Sequence, residues 1–166
     1  MASKDFSIRA ACAADREFLR EMLYQSLYVP AGGVPFPRDV VARPELAKYV
    51  EGWGRAGDLG FIAVGSGGGE PVGAAWLRLL AGDERGYGHL DDETPELALA
   101  VVPGHRGRGV GTALLGRLLE AARDLYESVS LSVSSDNPAV RLYERAGFER
   151  ATPRGASVVM IKRLRA

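Results

Sequence analysis

Between Glu96 and Leu125 the chain passes from a continuous apolar run, through a loop of arginine and glycine, into a long amphipathic repeat. Glu96 to Val102 is nearly unbroken apolar sequence stopped by Pro103, the pattern of a central strand covered on both faces. From Gly109 to about Leu125, Val110, Leu114, Leu115, Leu118, Leu119, Ala122 and Leu125 recur at intervals of three and four, which specifies a helix with one buried stripe. A buried strand feeding such a helix through a short loop confines the chain to a layered α/β fold, because each element must cover the other's apolar side.

The connecting loop reads Pro103-Gly104-His105-Arg106-Gly107-Arg108-Gly109-Val110-Gly111-Thr112. A helix start leaves four amide N–H groups unpaired and carries about half a positive charge. Glycines at 107, 109 and 111 remove the Cβ atoms that would keep an anion from those amides. Arg106 and Arg108 add guanidinium charge. Together these features describe a seat for an oxyanion or a diphosphate. Two other phosphate patterns fail here: Gly111 is followed by Thr112-Ala113 rather than Lys-Ser/Thr, and the sixth position of a Gly-x-Gly-x-x-Gly motif is Thr112 or Leu114. Because glycine supplies 21 of the 166 residues, a glycine motif alone discriminates little, and an arginine–glycine turn that merely begins a helix is the plain alternative. Its place between strand and helix gives the motif its weight.

The remaining sequence supplies a sheet around this unit. Phe6 to Ala10 alternates as a first strand, with Cys12 assigned to the same strand. Asp15 is positioned to cap a helix through about Leu27, with Phe18, Leu19, Met22, Leu23 and Ser26 on one face. Tyr28 to Arg43, punctuated by Pro30, Gly32, Gly33, Pro35 and Pro37, is a loop, and Pro44 opens a short helix to Gly52. Leu59 to Gly65 and Val72 to Leu80 form a hairpin around Ser66–Pro71, and polar Gly82 to Thr94 connects it to the central strand. Ser128 to Ser134 alternates as a strand. Asn137-Pro138 starts a helix to Ala146, with Gly147 in the left-handed position that ends it. Phe148 to Ala151 and Ser157 to Leu164 close the chain as strands. The order β-α-α-β-β-β-α-β-α-β-β, with neither repeat nor linker, is that of a single domain over residues 1–166.

Composition removes several function classes. Lys+Arg and Asp+Glu are 21 each, without the basic excess of a duplex binder, so nucleic acid is not the expected partner. Cys12 is the lone cysteine and His89 and His105 are the two histidines, a set that supports neither an intrachain disulfide nor a metal site. Met1 to Arg9 is polar and unlike a signal peptide, and no run approaches the roughly 20 apolar residues of a membrane span. A cytoplasmic protein is expected.

A second motif joins the first. Leu97-Ala98-Leu99-Ala100-Val101-Val102-Pro103-Gly104-His105-Arg106-Gly107-Arg108-Gly109-Val110-Gly111-Thr112-Ala113-Leu114-Leu115 is followed by Asp136-Asn137-Pro138-Ala139-Val140-Arg141-Leu142-Tyr143-Glu144-Arg145-Ala146-Gly147-Phe148. In this order, with helix and strand between them, the blocks resemble the GNAT superfamily of N-acetyltransferases. The direct match covers about a third of the chain. The resemblance implies a mixed, mostly antiparallel sheet flanked by helices, splayed between its central strands to take coenzyme A. It implies that the pantetheine arm of acetyl-CoA pairs with the strand backbone at Leu99, Ala100 and Val101, and that the Val101 N–H polarises the thioester carbonyl. The pyrophosphate seat then falls on Arg106, Gly107, Arg108, Gly109, Val110, Gly111 and Thr112, the segment already selected on physical grounds.

Tyr143 matches the family tyrosine that protonates the departing thiolate; a phenol of pKa about 10 is neutral at pH 7 and can donate. It also lies on the apolar stripe Ala139, Leu142, Tyr143, Ala146, which alone reads as core. Many family members carry one more residue between the asparagine and the tyrosine, which turns the pair by about 100° around the helix. Asn137 is therefore either a cofactor contact or only a cap. Glu96 is the leading general base, although the family glutamate commonly stands one residue earlier, an offset that reverses strand faces; a solvated strand start is its other reading. His89 is the weaker candidate. Asp91-Asp92-Glu93 either attracts a cationic amine or is a solvated loop. Tyr24, Tyr28, Trp53, Trp76 and Tyr87 either line an acceptor pocket or pack.

The resulting expectation is an acetyl-CoA-dependent N-acetyltransferase acting by direct attack, on an amine of a small molecule or protein. A non-catalytic acyl-CoA-binding sensor is the alternative, and longer acyl donors or hydroxyl acceptors remain open. Pairing of C-terminal strands into a homodimer is a further expectation.

Overall fold

The computed structural model describes residues 5–165; Met1 to Lys4 of the polar N-terminal stretch, and Ala166, lie outside the described residues. Seven strands form one sheet: β1 (Phe6–Ala10), β2 (Leu59–Gly65), β3 (Pro71–Arg78), β4 (Glu96–Val101), β5 (Ser128–Ser134), β6 (Glu149–Arg154) and β7 (Ser157–Arg163). Their spatial order is β1-β2-β3-β4-β5-β7-β6. Each neighbouring pair is antiparallel except β4 and β5, which run parallel. A parallel pair needs a crossover, and the crossover here is the helix α3 (Val110–Ala122).

Both faces of the sheet are covered, which is why β4 reads as continuous apolar sequence. On one face α3 buries Val110, Leu114, Leu115, Leu118, Leu119 and Ala122 against Phe61, Ala75, Leu97, Val129 and Leu131, together with Val140 and Tyr143 of α4 (Ala139–Arg145). On the other, α1 (Arg16–Gln25) brings Leu19, Met22 and Leu23 against Ile62, Ala74, Trp76 and Ala100, with Leu46 from the single turn α2 (Pro44–Ala47) beneath them. Among the described residues, no helix is long and apolar enough to cross a membrane.

Several local expectations change. Cys12 is not on β1: the strand ends at Ala10, and Cys12 is an exposed residue heading the turn Ala13–Asp15. Asp15 does not cap α1 with its side chain, because its carboxylate accepts two bonds of 2.8 Å from Arg9 and one of 2.8 Å from the Cys12 N–H. The helix stops at Gln25, where Ser26 Oγ donates to the Leu23 carbonyl at 2.6 Å. A 3-10 segment at Arg38–Ala42 interrupts the expected long loop, and it buries Val40 and Val41. The helix beginning at Pro44 lasts only to Ala47. Strand β3 ends at Arg78, whose guanidinium forms a buried ion pair with Asp58 at 2.7 Å and donates to the Lys48 carbonyl at 3.0 Å. Strand β6 runs past Ala151 through Pro153. A proline without an amide donor is tolerated there because β6 is an edge strand, paired only with β7.

Candidate functional site

All six residues of β4 pair with β3, from Glu96 opposite Arg78 to Val101 opposite Gly73. Toward β5 the only register pair among the described residues is Glu96 with Ser130, supported by the Ser130 N–H on the Pro95 carbonyl at 3.0 Å. Beyond that point the two strands part. The Val102 N–H donates to the Val72 carbonyl at 2.9 Å. Because backbone direction alternates along a strand, Ala100 and Ala98 also turn their amides and carbonyls to β3. Leu99 and Val101 therefore present theirs to the opening. Of the three strand residues expected to meet a cofactor, Leu99 offers a free backbone edge, Val101 offers a free N–H while its carbonyl accepts from Arg106, and Ala100 faces β3 instead.

The loop after β4 brings its amides to the same opening. Among the described residues, no backbone or side-chain oxygen accepts from the N–H groups of residues 107 to 112, whereas the Ala113 N–H already bonds the Gly109 carbonyl at 3.1 Å. Gly107 and Gly109 have φ of +74° and +83°, the left-handed region that suits glycine, and nothing lies within 4 Å of where a Cβ would stand on either. This bend lets six consecutive N–H groups go without internal partners. A Cβ at Gly111 would lie 3.7 Å from Leu142 Cδ2 and 3.8 Å from Val101 Cγ2. The head of α3, the open end of β4 and α4 therefore meet at one place. Arg108 is exposed and unbonded among the described residues. Arg106 instead turns its guanidinium back, with Nε donating to the Val101 carbonyl at 3.0 Å and Nη2 reaching Gln25 Oε1 of α1 at 3.5 Å.

Tyr143 is fixed by the end of α4. Gly147 takes φ of +100°, so that the Phe148 N–H returns to the Tyr143 carbonyl at 3.0 Å and the Gly147 N–H to the Glu144 carbonyl at 3.0 Å. This is the Schellman arrangement, and its apolar contact is the edge-on packing of the Phe148 and Tyr143 rings, centroids 5.8 Å apart. Tyr143 is thus both core and candidate acid. Burial pushes its phenol well above the usual range, so the hydroxyl keeps its proton at neutral pH. Asn137 uses Oδ1 to accept from the Ala139 N–H at 2.9 Å, so its side chain takes the capping role.

Glu96 stands at the closed end of β4 and is 2% exposed. Its Oε1 accepts from the Tyr49 hydroxyl and the Gly88 N–H, both at 2.8 Å, and its Oε2 from the Gly86 N–H at 2.9 Å. The expectation of a solvated strand start is corrected here: the carboxylate is sealed, and it pins the loop that carries Tyr87 and His89. Arg154 of β6 holds the same loop from its other side, at the Tyr87 carbonyl (3.0 Å) and the His89 carbonyl (2.8 Å). Trp53 and Trp76 belong to the core, whereas Tyr87 is exposed. Asp91 is occupied with the Glu93 N–H and the Thr94 hydroxyl. Sequence reasoning missed Gln25, Tyr49 and Arg154. Each acts through a contact with a segment distant in the chain, and none carries a local signal.

Comparison with known proteins bears on the family and the fold. The model of the acetyltransferase (GNAT) family matches residues 20–148. The mycothiol acetyltransferase of Frankia casuarinae is 42% identical over 76 residues, covering 44% of this chain and 22% of that protein. The mycothiol acetyltransferase of Thermobispora bispora is 36% identical over 115 residues, covering 68% of this chain and 37% of that one. The chain therefore spans well under half the length of these relatives. The structure of yncA from Salmonella typhimurium, solved with its cofactor acetyl-CoA, superposes with a TM-score of 0.67 at 23% identity, covering 97% of this chain and 95% of that one. The seven-stranded, mostly antiparallel sheet, the opening beside β4 and the family match lead to one conclusion: this chain belongs to the GNAT family of acetyltransferases.

Proposed function

We propose that this protein transfers an acetyl group from acetyl-CoA to a primary amine by direct attack on the thioester. The observation that carries the reading is the run of unbonded amides at residues 107 to 112 beside the open edge of β4. A diphosphate supplies the acceptors these N–H groups lack, and the left-handed Gly107 and Gly109 leave room for it. An extended amide-bearing arm can take the free edge of Leu99 and the N–H of Val101 as an added strand, and the Val101 carbonyl once Arg106 leaves it. The residues present therefore fit coenzyme A, which when bound supplies an acetyl thioester.

The chain's own residues supply the rest. Arg108 adds charge at the mouth of the seat. The Val101 N–H, facing the opening, is available to a carbonyl oxygen on which negative charge grows. Tyr143 holds a proton on Oη that it can donate to a departing sulfur; burial raises its pKa, so the phenol is neutral and a hydrogen-bond donor at pH 7. Glu96 holds the Gly86–Gly88 loop at the closed end of β4, and the proton lost by the attacking amine passes to solvent water at the open end. Cys12, exposed and far along the chain from this machinery, supports no covalent route.

The test combines calorimetry with coenzyme A and a free-thiol assay over a panel of amines, including small molecules and peptides. Saturable uptake with amine-dependent thiol release is expected. Uptake without release for any amine would favour an acyl-CoA sensor, and no uptake by folded protein would reject the assignment.

A further inference from the structure

Arg106 is the one loop residue whose side chain is already committed. Its Nε donates to the Val101 carbonyl at 3.0 Å, the group that faces the opening and has no β5 partner. The arm is held on a second side. Gln25 gives its Nε2 to Glu21 Oε1 at 3.1 Å, which leaves Oε1 as the end turned to Arg106 Nη2. Glu21 is itself paired with Arg38 at 2.8 Å, and Arg38 stacks over the Tyr24 ring with its guanidinium carbon 4.3 Å from the centroid. A line of polar contacts thus runs from the open end of β4, across α1, to the segment that covers it.

We infer that Arg106 is a latch: in the free protein it occupies the backbone slot that the pantetheine arm needs, and Gln25 holds it there. The inference rests on the proposed coenzyme A site. A backbone carbonyl has two lone pairs, but a guanidinium and an incoming strand amide that approach the Val101 oxygen from the opening compete for the same space and the same lone pair. Binding along β4 therefore displaces Arg106 from Val101. Once released, its guanidinium is one residue from the unbonded amides, where it can pair with a diphosphate. The residue opposes one half of the ligand and favours the other, and Gln25 sets how strongly it opposes.

Separating the ligand into its halves tests this. Binding of pantetheine, of adenosine 3′,5′-bisphosphate extended to the 5′-diphosphate, and of whole coenzyme A is measured by calorimetry or NMR titration. The proteins compared are wild type, Arg106→Ala, Arg106→Gln and Gln25→Ala. The latch predicts that Arg106→Ala binds pantetheine about threefold to tenfold more tightly than wild type, the worth of one displaced hydrogen bond, and binds the nucleotide half more weakly. Arg106→Gln keeps a donor for Val101 without the charge, so only nucleotide binding should fall. Gln25→Ala should tighten pantetheine alone, by a smaller factor. Equal or weaker pantetheine binding in a folded Arg106→Ala protein that still takes coenzyme A would overturn the latch. Failure of wild-type protein to bind coenzyme A would instead remove the underlying assignment.

Discussion

At Glu96 the fourth strand is paired with β5, and the side chain accepts three hydrogen bonds while only 2% exposed. At Val101, on the same strand, there is no β5 partner, and an exposed arginine meets the carbonyl. One end has its polar groups satisfied within the protein, and the other leaves them for something else. Buried donors and acceptors without partners cost roughly 1–3 kcal/mol each, so the closed end contributes to stability and the open end is suited to binding. Substitutions at the two ends should therefore be read by different measurements.

The largest effect is expected beside the open end. Tyr143→Phe should lower amine-dependent thiol release by roughly a hundredfold while coenzyme A affinity stays within about twofold, since a positioned acid contributes about that much or more. Unchanged turnover would assign Tyr143 to packing alone. Next comes the closed end. Glu96→Ala leaves the Tyr49 hydroxyl and the Gly86 and Gly88 amides without their acceptor, so denaturant melts should show a loss of about 3 kcal/mol or more. Coenzyme A affinity of the protein that remains folded should be unchanged; a weakened affinity would mean that the two ends are not separate. Gly109→Ala puts a Cβ into the seat and should weaken coenzyme A roughly tenfold, while the left-handed backbone it must adopt lowers stability in denaturant melts by about 1–2 kcal/mol.

The smallest effect lies at neither end. The Arg9 hydrogen bonds, ahead of other causes, hold the Asp15 carboxyl down at about 2. Because the folded value lies below the unfolded one, near 4, this contribution is complete above about pH 4 and is lost as pH falls toward 2. Half-exposure of Arg9 limits it to about 1 kcal/mol or less. Acid melts of Asp15→Asn should lack that part of the slope, while coenzyme A binding near pH 7 is unaffected.

The same contrast explains what the sequence allowed one to read. The strand, loop and helix from Glu96 to Ala122 carry their information locally, in an apolar run, a glycine pattern and a period of three to four. The left-handed Gly147 was likewise legible from its place after an apolar stripe, and with it the position of Tyr143. The burial of Glu96 is not legible locally, because it depends on Tyr49, Gly86 and Gly88, which the fold brings together from other segments. The region from Tyr28 to Gly54 was read poorly for a related reason: its short turns bury Val40, Val41, Leu46 and Trp53 against the sheet, and no periodic pattern announces a turn of four or five residues. Arg106 was read as a charge for phosphate, but its side chain reaches backward by a contact that spacing does not reveal.

The most direct measurement is an amide-resolved NMR titration of the wild-type protein, first with the nucleotide half of coenzyme A and then with the whole molecule. The account predicts large shifts for the N–H groups of residues 107 to 112 with the first ligand, and added shifts at Leu99 and Val101 only with the second. Saturation by coenzyme A with those amides unmoved would contradict it.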